Sequence, residues 1–156
     1  MVRLTCAQHV ERAAHHHLVG TALHESNEEE WAGVCYFYSA YHLVRGALTT
    51  DPIFDDLTAL KSLDQNLMES DRRAEKHHTP RNVPGFGINN LVSMIYPSIQ
   101  ASYHDLHGAS VTVRYEQGLT YTLDELAECL EEVRAELQAH PRLTVLAGEL
   151  ASRSPR

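Results

Sequence analysis

Trp31-Ala-Gly-Val-Cys-Tyr-Phe-Tyr-Ser-Ala-Tyr-His-Leu-Val-Arg45 decides the fold class. This stretch holds Trp31, Tyr36, Phe37, Tyr38 and Tyr41, five of the chain's eleven aromatic side chains, and it contains no proline. Trp31, Val34, Cys35, Tyr38, Tyr41, His42 and Leu48 form a wide apolar and aromatic stripe on a helix. The spacing predicts a central core helix from about Glu28 to Leu48. Ala32, Gly33, Ser39 and Ala40 are small enough to let another helix approach. Ser26 or Asn27 is the expected N-cap, and Glu28, Glu29 and Glu30 suit the positive end of the helix dipole. Asp51-Pro52 stops the helix, because proline disfavours helical backbone in the residue before it.

The same period recurs outward in both directions. Leu4, Ala7, Val10, Ala14, His17, Leu18 and Leu23 predict a helix over 4–24. Beyond Pro52, a weaker pattern through Ile53, Leu57, Leu60, Leu63 and Leu67 predicts helix over 53–69. Residues 69–90 carry Asp71-Arg-Arg-Ala-Glu-Lys76, His77-His78, Pro80, Pro84, Gly85 and Gly87, and read as a long loop with one helical turn. A short helix is expected over 88–96 and a new one from Pro97, a residue favoured at the first helical position. It ends near Tyr115, and Gly118 turns the chain. Thr122-Leu-Asp-Glu125 is a capping box. Leu123, Leu126, Leu130, Val133 and Leu137 then make a narrow seam that serves either the core or a dimer face. Asp124, Glu128, Glu131, Glu132 and Glu136 make the outer side of that helix acidic. Pro141 ends it, and residues 142–150 form one more short helix. The class is all-α, an antiparallel bundle of four to five helices. Residues 1–150 are one domain, and 151–156 are a flexible tail.

The formal charge is −8 over 156 residues, which disfavours a whole-surface grip on nucleic acid and leaves room for a local basic patch. Lys61 and Lys76 are the only lysines among 13 cationic side chains, and there are 11 histidines. Such histidine enrichment suits acid–base work, metal binding and pH response alike. Cys6, Cys35 and Cys129 are isolated, which points away from a disulfide framework or a cysteine zinc site. No apolar run reaches the ~20 residues of a membrane span, and the first residues lack the apolar segment of a secretory signal. The expected location is cytoplasmic.

Three features carry a family resemblance. The Trp31–Arg45 segment is similar to the aromatic-aromatic-small-x-aromatic-His second helix of HEPN domains. Tyr103-His-Asp-Leu106 with Ser110-Val-Thr-Val-Arg-Tyr115 resembles the family's Tyr-x2-Leu helix. His77 or His78 with Arg81 looks like its His/Arg loop. The resemblance covers about residues 7–138 and implies a helical bundle, commonly a homodimer. It further implies metal-independent endoribonuclease, toxin–antitoxin or antiviral-defence roles, with no cofactor. The family's Arg-x4–6-His signature supplies a base for the ribose 2′-OH and a cation for the phosphorane. It occurs here as Arg72/His77 and Arg73/His78, in the irregular loop. The same spacing also falls at Arg3/His9, Arg12/His17 and Arg134/His140, and no histidine follows Arg81-Asn82 at that distance. The resemblance thus gives Arg72, Arg73, His77 and His78 as catalytic candidates, and His42, Arg45, Arg81 and Asn82 as RNA-binding candidates.

Other readings accompany these. His42 is either a base lining a groove or a buried histidine bonded to a backbone or tyrosine partner. Arg114 is expected to close the bundle by pairing with an acidic neighbour. His15-His16-His17 point in different directions on a helix. His104 and His107 share a face and, with His42 or Asp105, could ligate a metal, but no metal motif such as HExxH is present and no metal site is assigned. The acidic last helix favours an alternative function, a non-catalytic helical adaptor with a protein partner in a defence or regulatory complex.

Overall fold

The computed structural model describes residues 2–79, 81–116 and 118–153. Among them lie seven helices: α1 (Cys6–Glu25), α2 (Glu29–Thr50), α3 (Leu57–Leu63), α4 (Ile88–Ile95), α5 (Gln100–Tyr115), α6 (Leu123–Ala139) and α7 (Thr144–Ser152). No strand occurs among these residues. None of the helices is long and apolar enough to cross a membrane. Pro80 and residues 154–156 of the expected tail lie outside the described residues.

Local chemistry sets the ends of the elements. Thr5 caps α1 through a capping box: its hydroxyl accepts the Gln8 amide, and the Gln8 side chain accepts the Thr5 amide. The same reciprocal pair joins Thr122 and Glu125 at the start of α6, as the sequence predicts. The expected Ser26 or Asn27 cap is not used. Asn27 instead takes left-handed backbone, φ 60°, in the turn between α1 and α2, and the N-cap position falls on Glu28 without a side-chain bond. The expected helix over 53–69 is broken into a 3₁₀ turn (Pro52–Asp55) and α3, while the helical turn expected in the loop that follows is a second 3₁₀ turn (Glu69–Arg73). Asp51 and Asp56 cap successive short elements, and such caps compete with helix continuation. Pro97 starts a single 3₁₀ turn that leads into α5.

α1 and α2 form an antiparallel hairpin. The Ser39 hydroxyl donates to the buried carbonyl of Ala13 at 2.8 Å, and Gly20 lies so close to Tyr36 that a methyl there would stand 2.9 Å from the ring. α5 and α6 complete the four main helices, and one core runs from Cys6 to Leu150. α2 is buried on most of its circumference: Phe37, Ala40, Val44, Ala47 and Leu48 are fully enclosed. Phe37 packs its ring 5.8 Å from Tyr103 and 5.0 Å from His107, both on α5. Burying one such ring contributes about 1.5–3 kcal/mol. The α6 seam from Leu123 to Leu137 is entirely buried, so it serves the core rather than a dimer face. The acidic residues of α6 are exposed.

Two expected stripes are rotated. On α1 the buried face is Cys6, His9, Val10, Ala13 and Gly20, while Leu18 is 71 % exposed and Ala14 and His17 face outward. On α2, Trp31 is 55 % exposed, and Tyr38, Tyr41 and His42 are only half-buried. The core takes Tyr36 and Phe37 instead. Cys6 is buried, Cys35 and Cys129 are half-buried, and all three are free.

The segment from Ala74 to Gly87 is irregular, yet it is fastened. The Ile88 and Asn89 amides, at the start of α4, donate to the carbonyls of Lys76 and His77 at 2.8 and 3.2 Å. Gly87 permits this approach, because a methyl there would overlap the His77 carbonyl oxygen and stand 2.6 Å from His78 Cα. Since backbone must yield, Gly87→Ala is expected to cost about 1–3 kcal/mol and to release the His77–His78 segment. Gly108→Ala is the control: nothing lies within 4 Å of its added methyl, and it removes a helix-interior glycine. It is expected to stabilise by about 0.5–1 kcal/mol. Urea midpoints and amide exchange at His77 check both; equal midpoints would show that the close approach is unimportant.

Candidate functional site

An open cleft of about 740 Å³ lies where the start of α1, the C-terminal half of α2 and the irregular segment meet. Among the described residues its charged lining is Arg3, Arg45, Arg73 and Lys76 against Glu75. His9, Tyr41 and His42 contribute a polar wall, and Leu4, Val83 and Phe86 an apolar one. Four cations against one anion make this a basic depression on a chain whose formal charge is −8.

Arg45 is 8 % exposed. It donates from Nη1 to the Tyr41 hydroxyl at 3.1 Å, its Nε–H has no partner among the described residues, and its ion-pair partner, the half-exposed Glu75 carboxylate, stands 3.7 Å away. A guanidinium has five donors, so this one is under-satisfied and only weakly neutralised. The Tyr41 hydroxyl in turn donates to the Glu75 carbonyl at 2.8 Å, tying α2 to the irregular segment.

Two histidine groups flank Tyr41. In the first, His9 Nδ1 and His42 Nδ1 are 3.0 Å apart, and the His16 ring stacks on His42 at 5.5 Å with planes 7° apart. Burial, then the positive charges of Arg45 and Arg12, lower His9 to about 4. Burial, then His9, His16 and the same arginines, lower His42 to about 3. In the second group, His77 lies 4.5 Å from His107, 5.2 Å from Phe37 and 5.4 Å from Tyr41, ring centre to ring centre. Burial followed by neighbouring histidines lowers His107 to about 4, and burial followed by Arg114 lowers His77. His107 Nδ1 bonds the Asn89 side chain at 2.8 Å, while His77 Nδ1 is buried without a partner. These rings are therefore neutral at pH 7.

The structure divides the residues singled out in the sequence. Arg73 reaches the cleft with half its side chain exposed and only a 3.9 Å pairing to Glu69. Arg72 is committed elsewhere: it pairs with Asp55 at 2.9 Å, donates to the Asp51 carbonyl at 3.3 Å and stacks over Phe54. His77 and His78 lie beyond Tyr41 with His107, outside the cleft lining. His42 and Arg45 are in the cleft. Arg81 and Asn82 occupy an exposed turn between the lining residues Thr79 and Val83, with Asn82 at φ 69°. Among the described residues Arg114 has no acidic partner, contrary to expectation; it donates to the Tyr38 hydroxyl at 3.2 Å and to the Ser110 carbonyl.

His9 and Lys76 were missed by sequence reasoning as site residues, and His107 was read there only as a metal ligand beside His104. His9 is 33 residues from His42, and only the register of the α1–α2 hairpin joins them. The available signal was His9-x3-Ala13-x2-His16, three residues at helical spacing on one side of α1. His104 and His107 both turn to Asn89 rather than toward a shared ligand. No cluster of three or more His, Cys, Asp or Glu suited to a metal ion occurs among the described residues. No family model, no curated protein and no solved structure matches the chain.

Proposed function

We propose that this chain acts on RNA as a HEPN-type protein, gripping the phosphate backbone in the basic cleft and using neutral histidines for metal-independent acid–base chemistry. The observation that carries this reading is the four-to-one excess of cations in a cleft that also holds an under-neutralised buried arginine. Phosphates supply the missing anion, and arginine is the side chain best shaped to receive them. Tyr41 borders the cleft on one side and packs against His77 on the other, so a strand held by Arg45 and Arg73 passes close to His77 and His78. His77, held below its ordinary range by burial, is the group to accept the 2′-OH proton. Two copies of the chain would set two such clefts together.

The test is binding and cleavage of a labelled single-stranded RNA in the presence of chelator. Arg73→Gln with Lys76→Gln removes two exposed contacts and is expected to reduce the slope of log K against log salt by about 1.4, from ~0.7 per phosphate contact. His77→Ala with His78→Ala is expected to abolish chelator-resistant cleavage and leave binding nearly intact. An unchanged salt slope would remove the cleft from RNA binding.

A second reading is a non-catalytic adaptor. It is favoured by the exposed acidic side of α6, with Asp124, Glu128, Glu131, Glu132 and Glu136. It predicts one stoichiometric protein partner, lost when these charges are neutralised, and no RNA binding.

A further inference from the structure

We propose that His9 is a positioning residue that fixes the tautomer of His42: His9 donates its Nδ1–H to Nδ1 of His42, and His42 thereby presents Nε2–H, not a lone pair, to the cleft. Two ring nitrogens 3.0 Å apart must share one proton, since two lone pairs or two N–H groups would repel. The choice between the two assignments falls on the other nitrogen of His9. His9 is 2 % exposed, and its Nε2 is buried without a partner among the described residues. Were His42 the donor, His9 would carry a proton on that nitrogen, an orphaned buried N–H. With His9 as donor, Nε2 keeps a lone pair instead, and the positive fields of Arg45 and Arg12 act favourably on it. Unpaired buried donors are much the rarer defect in folded proteins.

The rest of the pair holds His42 in place. His16 stacks on one face of its ring with planes 7° apart, and the edge of Tyr41 meets it at 5.2 Å. His42 is half-buried and lines the cleft, and its Nε2 is not among the enclosed unpartnered atoms. His42 therefore acts at neutral pH as a hydrogen-bond donor beside Arg45 and Arg73, suited to a phosphate oxygen and unsuited to removing a proton. What this N–H serves rests on reading the cleft as a phosphate site; the tautomer itself does not.

The experiment is a long-range proton–nitrogen correlation spectrum of ¹⁵N-labelled protein at pH 7.5. The expected result is His42 protonated at Nε2 and bare at Nδ1, with His9 the reverse. His9→Leu is expected to return His42 to a mixture of tautomers. His9→Asn, whose amide N–H takes the place of the ring Nδ1–H, is expected to restore the single form, which a purely structural role for His9 would not produce. A wild-type His42 protonated at Nδ1 overturns the proposal, as does a His42 indifferent to His9→Leu. Should the leucine variant not fold, the wild-type assignment decides alone. Inorganic phosphate is then added. A shift at His42 Nε2 supports the phosphate reading; silence there with the tautomer intact overturns that reading and leaves the tautomer lock standing.

Discussion

Replacing Arg142 by methionine is expected to destabilise the protein by about 3–5 kcal/mol, the cost of leaving a buried charge unpaired. Arg142, in the link between α6 and α7, donates from Nε and Nη2 to the two carboxylate oxygens of Asp51 at 3.0 and 3.1 Å. Asp51 is fully buried where α2 ends. It also accepts the Ile53 amide at 2.9 Å and the Tyr96 hydroxyl at 2.9 Å. One carboxylate thus joins the end of α2, the first 3₁₀ turn, the end of α4 and the α6–α7 link. The two partners are unequal: the side chain of Arg142 is 33 % exposed and that of Asp51 is not exposed at all. Losing the arginine strands a charge that water cannot reach. Losing the aspartate leaves a guanidinium that water can partly solvate. Arg142→Met is therefore expected to be worse than Asp51→Asn, and Asp51→Asn made in the Arg142→Met background is expected to recover part of the loss. Thermal melts measure this directly, since about 2–4 °C is lost per kcal/mol in a chain of this size. A drop below about 1 kcal/mol would place the pair with ordinary surface bridges.

Stability is expected to fall by about 3 kcal/mol between pH 7 and pH 5, before most carboxylates titrate. His9 and His107 are held near 4 and His42 near 3, against about 6.5 in the unfolded chain. A base with a lowered folded pKa binds fewer protons folded than unfolded. The stability it contributes is therefore complete above pH 6.5 and is lost as pH falls from there toward 4. Each group could supply about 1.4 kcal/mol per pH unit in that window. The total is set at roughly half the sum, because His42 is half-exposed and shares its proton with His9. Urea midpoints at successive pH values check the sign and the window. His9→Asn with His107→Asn is expected to flatten the curve between pH 6.5 and 5; an unchanged slope would assign the acid sensitivity to other groups.

The candidate site was half legible in the sequence. His42, Arg45 and Arg73 stood in segments whose composition already drew notice, and all three reach the cleft. Arg72 did not follow, although it adjoins Arg73 and meets the same spacing rule. A spacing rule counts residues, whereas the 3₁₀ turn sends Arg72 toward Asp55 and Asp51 and Arg73 toward the opening. His9 was illegible, and His107 was read only as a metal ligand, because His9 acquires its role from a ring on another helix and His107 from a ring in the irregular segment.

The sequence by itself determined that this protein is helical, where α6 begins, and that α6 has one apolar seam. These follow from interactions within four residues along the chain: caps, proline geometry and the 3.6-residue period. The tertiary structure alone decided which side of α2 is enclosed, why Trp31 stays in solvent while Phe37 does not, and which histidines meet. A helix almost wholly surrounded has no single apolar stripe to read. Its orientation is set by the neighbours that fit against Gly20, Ser39 and Phe37. The His9–His42 pair joins residues 33 positions apart, and Asp51 meets Tyr96 and Arg142 across 45 and 91 positions; only packing brings such groups together.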